Sequence, residues 1–325
     1  MKARLIVAAM AATILVALGS GAEAQNYPRR PVEMVIPFGV GGASDIFARQ
    51  YAKIAEKYLG KPLVPVNKGG AGTIEGLLYA YGAPADGYTI LEITPSLLIV
   101  EAQNKSSVKF RKEFEPIMKV QADVVLFGVS AKSNFKTIAD LLAFAKANPK
   151  KLKIGGLSPG ALDDYIASGF AKAAGIQWTY VPYKSGSEVK AAVLGGELDV
   201  YQDKLISFMG LAASGDIRPL VVLHNKRLDV PELKDVPCSV EKGINFTQGS
   251  WRGFVVKRGT PEDIKKTIIT AFQKAYDDPA YKEMEKKEMT NLVSGYMKAD
   301  EFRKSWDVEF EGYSAIFKEL GMISK

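Results

Sequence analysis

The residues with the clearest chemical potential are a run of glycines between an apolar segment and a helical pattern. The run contains Phe38, Gly39, Gly41, Gly42, Ser44 and Asp45. Glycines let backbone N–H groups converge without side chains in the way, and a helix start adds partial positive charge at the same point. Ser44 and Asp45 can cap the helix and fix the loop. The segment therefore predicts a site for an anion, or alternatively a tight strand-to-helix turn without a ligand.

A second segment repeats this arrangement. Residues 152–155 have the composition of a strand, and a loop and a helical pattern follow them. The candidate binding residues of this second loop are Ser158, Gly160, Ala161 and Asp163. We expect the backbone amides of Gly41 and Gly160 to face a shared crevice and to hold an acid from both sides. Asp163 and Asp164 either cap the helix or repel an anion, and they could pair with a ligand amine.

The second loop also matches G-x-S-x-G, the nucleophile elbow of α/β-hydrolases, with Ser158 as nucleophile. A secreted esterase is therefore an alternative hypothesis. The oxyanion hole of that elbow uses the N–H of the residue after the serine, and Pro159 has none. The only available base is His224, the one histidine of the chain, and a lone histidine at a strand end is more often structural. We predict that the protein is not an enzyme.

The composition excludes several other classes of function. One histidine and one cysteine cannot supply a transition-metal site, and neither a calcium-binding acidic loop nor a P-loop motif occurs. We expect no metal and no cofactor. The net charge is +7, but the lysines are interspersed with acidic residues, which is typical of solvated helix faces. We therefore expect no nucleic-acid partner and a mild attraction of small anions.

The first 24 residues predict a cleaved signal peptide. Lys2 and Arg4 precede an uncharged run over residues 5–18, and Ala22-Glu23-Ala24 provides small residues at the spacing of a cleavage site. The run is shorter than the roughly 20 apolar residues of a transmembrane helix. Cys238 lies far from the cleavage site, so we expect no lipid anchor. These features predict a soluble, monomeric protein of the periplasm.

Short β-branched or aromatic runs alternate with amphipathic helical patterns along the rest of the chain. The predicted strands cover residues 32–38, 63–67, 88–93, 124–129, 152–155, 179–181, 219–223 and 253–256. This alternation predicts an α/β protein with twisted, mostly parallel sheets flanked by helices. A largely aromatic stripe near the C-terminus predicts one buried helix face, and it comprises Phe302, Trp306, Phe310, Tyr313, Phe317 and Leu320.

The chain contains no low-complexity linker, which suggests two lobes connected by more than one crossing of the chain. We expect a discontinuous first lobe over residues 25–123 and 249–325, a second lobe over residues 124–248, and a ligand cleft between them.

Several short motifs occur in a characteristic order. They are residues 37–45, Asn67 with Gly69-Gly70-Ala71-Gly72, Ala85-Asp86-Gly87-Tyr88-Thr89, Val181-Pro182-Tyr183-Lys184, Gly195-Gly196-Glu197-Leu198-Asp199-Val200, Asp235-Val236-Pro237 and Gly259-Thr260-Pro261. In this order the chain resembles the extracytoplasmic receptors of tripartite tricarboxylate transporters, the Bug-type solute-binding proteins. The resemblance implies a two-lobed periplasmic-binding-protein fold, type II-like, that closes over a small carboxylate ligand. It also implies delivery of that ligand to the membrane subunits of such a transporter, although a sensor for a signalling partner would have the same fold.

On this resemblance, the glycine run matches the family's first carboxylate loop, and the candidate residues of the second loop fall on its second. Ala161 stands where the family usually has Ser or Thr, and Asp164 occupies a position often held by His. The ligand therefore stays open among tricarboxylates, dicarboxylates, aromatic carboxylates and amino acids. Five further candidates for ligand contact are Thr94, Ser96, Tyr183, Asp203 and Arg252. Arg252 could form a bidentate pair with a carboxylate, or alternatively an ion pair within the protein.

Overall fold

The computed structural model describes residues 27–324, so the predicted signal peptide lies outside the described residues. Within this range eleven strands and eleven α-helices form. The strands are β1 (Val32–Ile36), β2 (Leu63–Asn67), β3 (Thr89–Ile93), β4 (Phe114–Asp123), β5 (Val125–Ser130), β6 (Lys153–Gly156), β7 (Thr179–Pro182), β8 (Tyr201–Lys204), β9 (Ile217–Val222), β10 (Ser250–Lys257) and β11 (Met297–Lys298). The helices are α1 (Ala43–Leu59), α2 (Ile74–Gly82), α3 (Pro95–Ala102), α4 (Phe110–Glu113), α5 (Ile138–Ala147), α6 (Leu162–Ala174), α7 (Gly186–Leu194), α8 (Leu205–Ala213), α9 (Glu262–Asp277), α10 (Pro279–Lys287) and α11 (Ala299–Glu319). None of the helices between residues 27 and 324 is both long and apolar enough for a membrane span.

The larger sheet has six strands in the order β11-β4-β10-β3-β1-β2. β1 pairs in parallel with β2 and β3 at the centre of this sheet. Its residues Met34, Val35 and Ile36 are fully buried, because helices cover both faces. The carboxyl ends of β1 and β3 lead directly into the loops before α1 and α3, which places both loops at one edge of the sheet.

The remaining strands form two smaller sheets. One has the order β8-β5-β9 with antiparallel pairs, and the other joins β6 and β7 in parallel. A parallel bridge between Ile154 and Val200 connects β6 to the residue before β8. The loop after β6 therefore opens beside β8, and it leads into the start of α6.

The predicted α/β class and all eight predicted strands are confirmed, but the prediction of mostly parallel sheets is wrong because the sheets are mixed. The three strands that were not predicted, β4, β8 and β11, all pair antiparallel with their neighbours, and β10 also pairs antiparallel with β3. β4 pairs antiparallel with β10, and Ser250 at the start of β10 lies opposite Asp123 at the end of β4. The chain leaves the six-stranded sheet along β4 and returns along β10, so two adjacent strands must run in opposite directions.

The C-terminal helix connects the two sets of sheets. Four residues of the predicted apolar face of α11 are fully buried, namely Phe302, Trp306, Tyr313 and Phe317. Phe310 is only partly buried, and the prediction is wrong for Leu320, which is exposed because it follows the last residue of the helix. The Tyr313 ring makes an edge contact with Tyr165 of α6 at a centroid distance of 4.5 Å. The helix α6 thus packs against α11, the helix that directly follows β11 of the six-stranded sheet.

We call the place where the chain leaves the six-stranded sheet along β4 and returns along β10 the strand crossing, and these two strands the crossing strands. The strand crossing should tolerate no side chain at Gly249. A Cβ atom at this position would lie 2.0 Å from the Asp123 carbonyl oxygen. We expect Gly249→Ala to lower the free energy of unfolding by about 1–3 kcal/mol in urea denaturation, because backbone must shift to relieve the overlap. Gly210→Ala in α8 is the matched control, since its Cβ meets nothing within 4 Å, and it should gain about 0.5–1 kcal/mol. Equal stability of Gly249→Ala and wild type would contradict the described crossing.

Candidate ligand-binding site

The loop before α1 is held by a hydrogen bond from a glycine to an aspartate four residues later. Gly41 has φ +79°, and its N–H donates to Asp45 Oδ2 at 2.8 Å. Asp45 Oδ1 accepts from Arg49 Nε and from Asn67 Nδ2, each at 2.9 Å. The Gly41 hydrogen bond is the main cause that lowers the pKa of the buried Asp45 carboxyl. Asp45 is therefore an ionised carboxylate that locks the loop.

The loop before α6 has the same geometry. Gly160 has φ +72°, and its N–H donates to Asp164 Oδ2 at 2.9 Å. Ser168 takes the place of Arg49, since its hydroxyl donates to Asp164 Oδ1 at 3.2 Å. The predicted repetition of strand, glycine loop and helix is thus confirmed at the level of individual hydrogen bonds. Asp164, which the sequence analysis treated as a cap or a repulsive charge, is the equivalent of Asp45.

These hydrogen bonds correct one expectation. The amides of Gly41 and Gly160 do not face a shared crevice, because their hydrogen atoms point to Asp45 and Asp164. An aspartate four residues after a left-handed glycine competes successfully for the amide, and the local pattern did not reveal this.

The amides that stay available belong to the first turns of the two helices. The first helical hydrogen bond of α1 is donated by Ile46, so the N–H groups of Ala43 and Ser44 come before it. The first helical hydrogen bond of α6 is donated by Tyr165, so the N–H of Leu162 also comes before the first helical hydrogen bond. Throughout residues 27–324, no protein acceptor pairs with these three amides. Such groups attract an anion to a helix start.

A group of buried charges lies on the neighbouring strands β3, β4 and β10. Arg252 of β10 is only 5% exposed, and it donates to Gln121 and contacts Asp123 Oδ2 at 3.4 Å. Its Nε lies 4.0 Å from Glu92 Oε1. The guanidinium therefore takes part in ion pairs with Asp123 on β4 and Glu92 on β3, which is the alternative considered for it, while its Nε has no hydrogen-bond partner among the described residues.

Glu92 on β3 is completely buried. Neither of its oxygens has a hydrogen-bond partner of good geometry among the described residues. Burial raises the pKa of Glu92 to about 7, although the positive charge of Arg252 and the Ser44 side chain oppose the rise. Glu92 thus lies close to both Ser44, at the start of α1, and Arg252, on β10.

A cavity of about 140 Å³ opens beside the start of α6. Its polar lining consists of Asp163, Gln202, Asp203, Lys204 and Ser250, together with Tyr201. Burial raises the pKa of Asp163, although the Leu157 N–H donates to it at 3.1 Å. Burial lowers the pKa of Lys204, and the nearby positive charge of Arg252 lowers it further. The charges on β4 and β10 therefore act directly on the charged side chains that line the cavity.

The other sequence candidates occupy different surroundings. Phe38 is partly exposed beside the first loop, and its carbonyl accepts from Asn67 Nδ2 at 3.1 Å. Gly39 and Gly42 are exposed, and Gly42 is the N-cap of α1 without a side-chain cap. Thr94 is buried and caps α3, since its hydroxyl accepts from the Ser96 N–H at 3.3 Å.

Among the candidates that follow β6, Ser158 is exposed and its carbonyl accepts from the Ala161 N–H at 3.0 Å. Tyr183 donates to Glu197 at 2.9 Å and lines a separate surface hollow, so the structure does not bring it into the cavity with Asp163 and Asp203.

The sequence analysis missed four residues of this region. Glu92 was a single acid inside an apolar strand, which is a usable signal for a buried charge. Gln202 and Lys204 flank the candidate Asp203, but the short strand β8 was not predicted. Gln103, after α3, donates from Nε2 to the Gly160 carbonyl at 2.9 Å and so connects α3 to the second loop. Only the three-dimensional arrangement reveals that contact.

The esterase hypothesis finds no support in this geometry. His224 is only partly exposed, and its Nδ1 lies 3.1 Å from the Lys226 carbonyl oxygen. Across the described part of the chain, no hydrogen bond joins His224 to Ser158. Pro159 also removes the oxyanion donor that the elbow requires.

Comparison with known proteins identifies the family. The sequence profile described as "Tripartite tricarboxylate transporter family receptor" matches residues 47–322. The chain belongs to this family. A relative from Cupriavidus necator, described as "UPF0065 protein in gbd 5'region", is 31% identical over 319 residues, which is 98% of this chain and 95% of the relative.

Solved structures of solute-binding proteins share the fold. A TctC solute-binding protein from Polaromonas has a TM-score of 0.78 at 22% identity, over 90% of this chain and 99% of that one. The periplasmic binding protein BugD has a TM-score of 0.72 at 26% identity, over 92% and 100%. An R. palustris protein, solved with adipate, has a TM-score of 0.73 at 24% identity, over 91% and 98%. The predicted Bug-type resemblance and the two-lobed fold are confirmed.

Glu92 should give the protein a characteristic pH dependence. Its pKa rises from the ordinary 4.5 to about 7 on folding, so the folded protein keeps a proton that the unfolded chain releases in this interval. The free energy of unfolding should therefore fall as the pH rises from about 4.5 to about 7. We expect Glu92→Gln to remove this part of the slope in urea denaturation at a series of pH values. Glu311→Gln, an exposed change on α11, should leave the slope intact; the same slope in Glu92→Gln would contradict the assignment.

Proposed function

We propose that this chain is an extracytoplasmic solute-binding protein that captures a small carboxylate-containing solute and delivers it to a tripartite tricarboxylate-type membrane transporter. The observation that carries the proposal is the pair of helix starts with one geometry and unpaired first-turn amides. Two such starts provide positive potential for an acid from two directions. Membership of the transporter receptor family supports the delivery step.

We propose the lobe boundaries that the sequence predicted, residues 25–123 with 249–325 and residues 124–248. The origin of the strands supports this division. The six-stranded sheet takes its strands from β1–β4, β10 and β11, whereas the two smaller sheets take theirs from β5–β9. The boundaries then coincide with the point where Ser250 lies opposite Asp123.

In the proposed site, some residues contact the solute and others position them. Ser44 and the first-turn amides of α1 contact the solute from the first lobe, and Asp163 and Asp203 line its space in the second lobe. Asp45 acts as a positioning residue, because both of its carboxylate oxygens already accept hydrogen bonds from the protein, and Arg252 positions Asp123 through their ion pair. The flanking candidates Phe38, Gly39, Gly41, Gly42, Thr94, Ser96, Ser158, Gly160 and Ala161 shape the two loops.

The proposed mechanism is hinge closure about β4 and β10. A solute that touches both helix starts binds the closed form better than the open form, so it shifts the population towards the closed form. The transporter then recognises the closed protein. The chemistry requires no bond making, and we propose that the protein is not an enzyme.

The remaining parts of the proposal concern ligand class and compartment. The R. palustris protein was solved with adipate, a dicarboxylate, which supports a carboxylate as the solute here. The N-terminal sequence supports export through a cleaved signal peptide. We therefore propose a free monomer in the periplasm.

Asp45 tests the positioning of the first loop. We expect Asp45→Asn to weaken solute binding at least tenfold, about 1.4 kcal/mol, because the loop loses its charged acceptor. The solute is first found with a thermal-shift screen of adipate, malate, citrate and amino acids, since a binder stabilises the native state. Affinity is then measured by isothermal titration calorimetry.

Asp140→Asn is the matched control for this experiment. Asp140 also holds a helix start, since it accepts from the Thr137 N–H at 2.8 Å, but it caps α5 away from both loops. Its replacement should leave the affinity unchanged. Unchanged affinity in folded Asp45→Asn would contradict the role of the first loop.

A further inference from the structure

The cavity beside α6 carries a buried acceptor without a donor. Gln202 donates from Nε2 to the carbonyl oxygens of Gly155 and Asp163, both at 3.1 Å. Because both partners can only accept, the orientation of the amide is fixed. Its other end, Oε1, is buried and has no hydrogen-bond partner in the described structure. A buried acceptor in this state is costly, so a donor is expected to approach it.

A carboxylate stands next to this acceptor. Asp163 uses Oδ2 to accept from the Leu157 N–H, while Oδ1 accepts from no group within residues 27–324. Asp203 lies on the same wall and adds negative charge, and its oxygens accept from the Tyr201 hydroxyl at 2.7 Å and the Lys204 N–H at 2.8 Å. The wall therefore favours a cationic hydrogen-bond donor.

The cavity also contains a lysine without a salt bridge among the described residues; burial lowers its pKa, and the nearby acids Asp123, Asp163 and Asp203 oppose that shift. Lys204 lines the cavity, yet none of the carboxylate oxygens described here lies within the 4.0 Å of an ion pair with its Nζ. The neighbouring Arg252 is already paired with Asp123. A partly buried ammonium in this position favours an incoming carboxylate, as do the amides at the start of α6.

We propose that the solute carries an ammonium group as well as a carboxylate, with the ammonium donating to Asp163 and Gln202 Oε1 and the carboxylate meeting Lys204. This inference rests on the proposed solute-binding function and narrows its ligand to amino-carboxylates. Asp163, Gln202 and Lys204 all line the same cavity of about 140 Å³. A solute with a second carboxylate in place of the ammonium would bring like charges together at Asp163 and Asp203.

The test compares solutes that differ only in the amino group. Isothermal titration calorimetry on the mature protein uses aspartate against succinate, glutamate against glutarate, and 4-aminobutyrate against butyrate. In at least one pair, we expect the amino member to bind at least tenfold more tightly. Equal or tighter binding of the amino-free member in every pair that binds would overturn the inference while leaving the solute-binding proposal intact. Absence of binding by all six, together with no thermal shift in the wider carboxylate screen, would contradict both.

Substitutions identify the residues responsible. Asp163→Asn keeps the acceptor for the Leu157 N–H but removes the charge, so it should reduce the preference for the amino member at least tenfold. Lys204→Met should weaken both members of a pair, because both carry the carboxylate. Asp199→Asn is the control, since Asp199 accepts from the Lys153 N–H at 2.8 Å and does not line the cavity. An unchanged preference in folded Asp163→Asn would overturn the assignment of the ammonium to this wall.

Discussion

The hydrogen bond from a left-handed glycine amide to the aspartate four residues later is the constraint on which the proposed site depends. It occurs at Gly41 with Asp45 and again at Gly160 with Asp164. A residue with a side chain would be strained at φ +79° or +72°, and a neutral partner would hold the loop less firmly. The bond folds each loop onto its own helix, so the first-turn amides rather than the glycine amides become the available donors.

The second organising feature is the burial of charge where the chain crosses between sheets. Arg252 lies on β10 and pairs with Asp123 at the end of β4, so the two strands of the crossing share an ion pair. Removing charges from water is costly unless they are paired, and Glu92 shows the cost in its raised pKa. The fold places this group of charges near the starts of α1 and α6, so these charges would also act on an acid bound there.

Much of the fold could be predicted because its signals are local. Apolar runs and helix starts located eight strands and the two glycine loops, but β4 contains Pro116 and several polar residues, which hid a ten-residue strand. The direction of the Gly41 amide was predicted wrongly, since the rule for glycine loops ignores a competing aspartate within the same turn. Lys204 and Gln202 were missed for another reason. Their importance comes from residues far away in sequence, and periodicity contains no information about such contacts.

An NMR titration of the uniformly ¹⁵N-labelled mature protein with a carboxylate that binds it would test whether the first-turn amides hold the solute. We expect saturable shifts of the Ala43, Ser44 and Leu162 amide signals at one common affinity, since these donors are free to meet the solute. The Gly41 and Gly160 amides should stay protected from hydrogen exchange, because Asp45 and Asp164 hold them. Shifts confined to residues outside both helix starts, or loss of protection at the two glycines, would contradict the account.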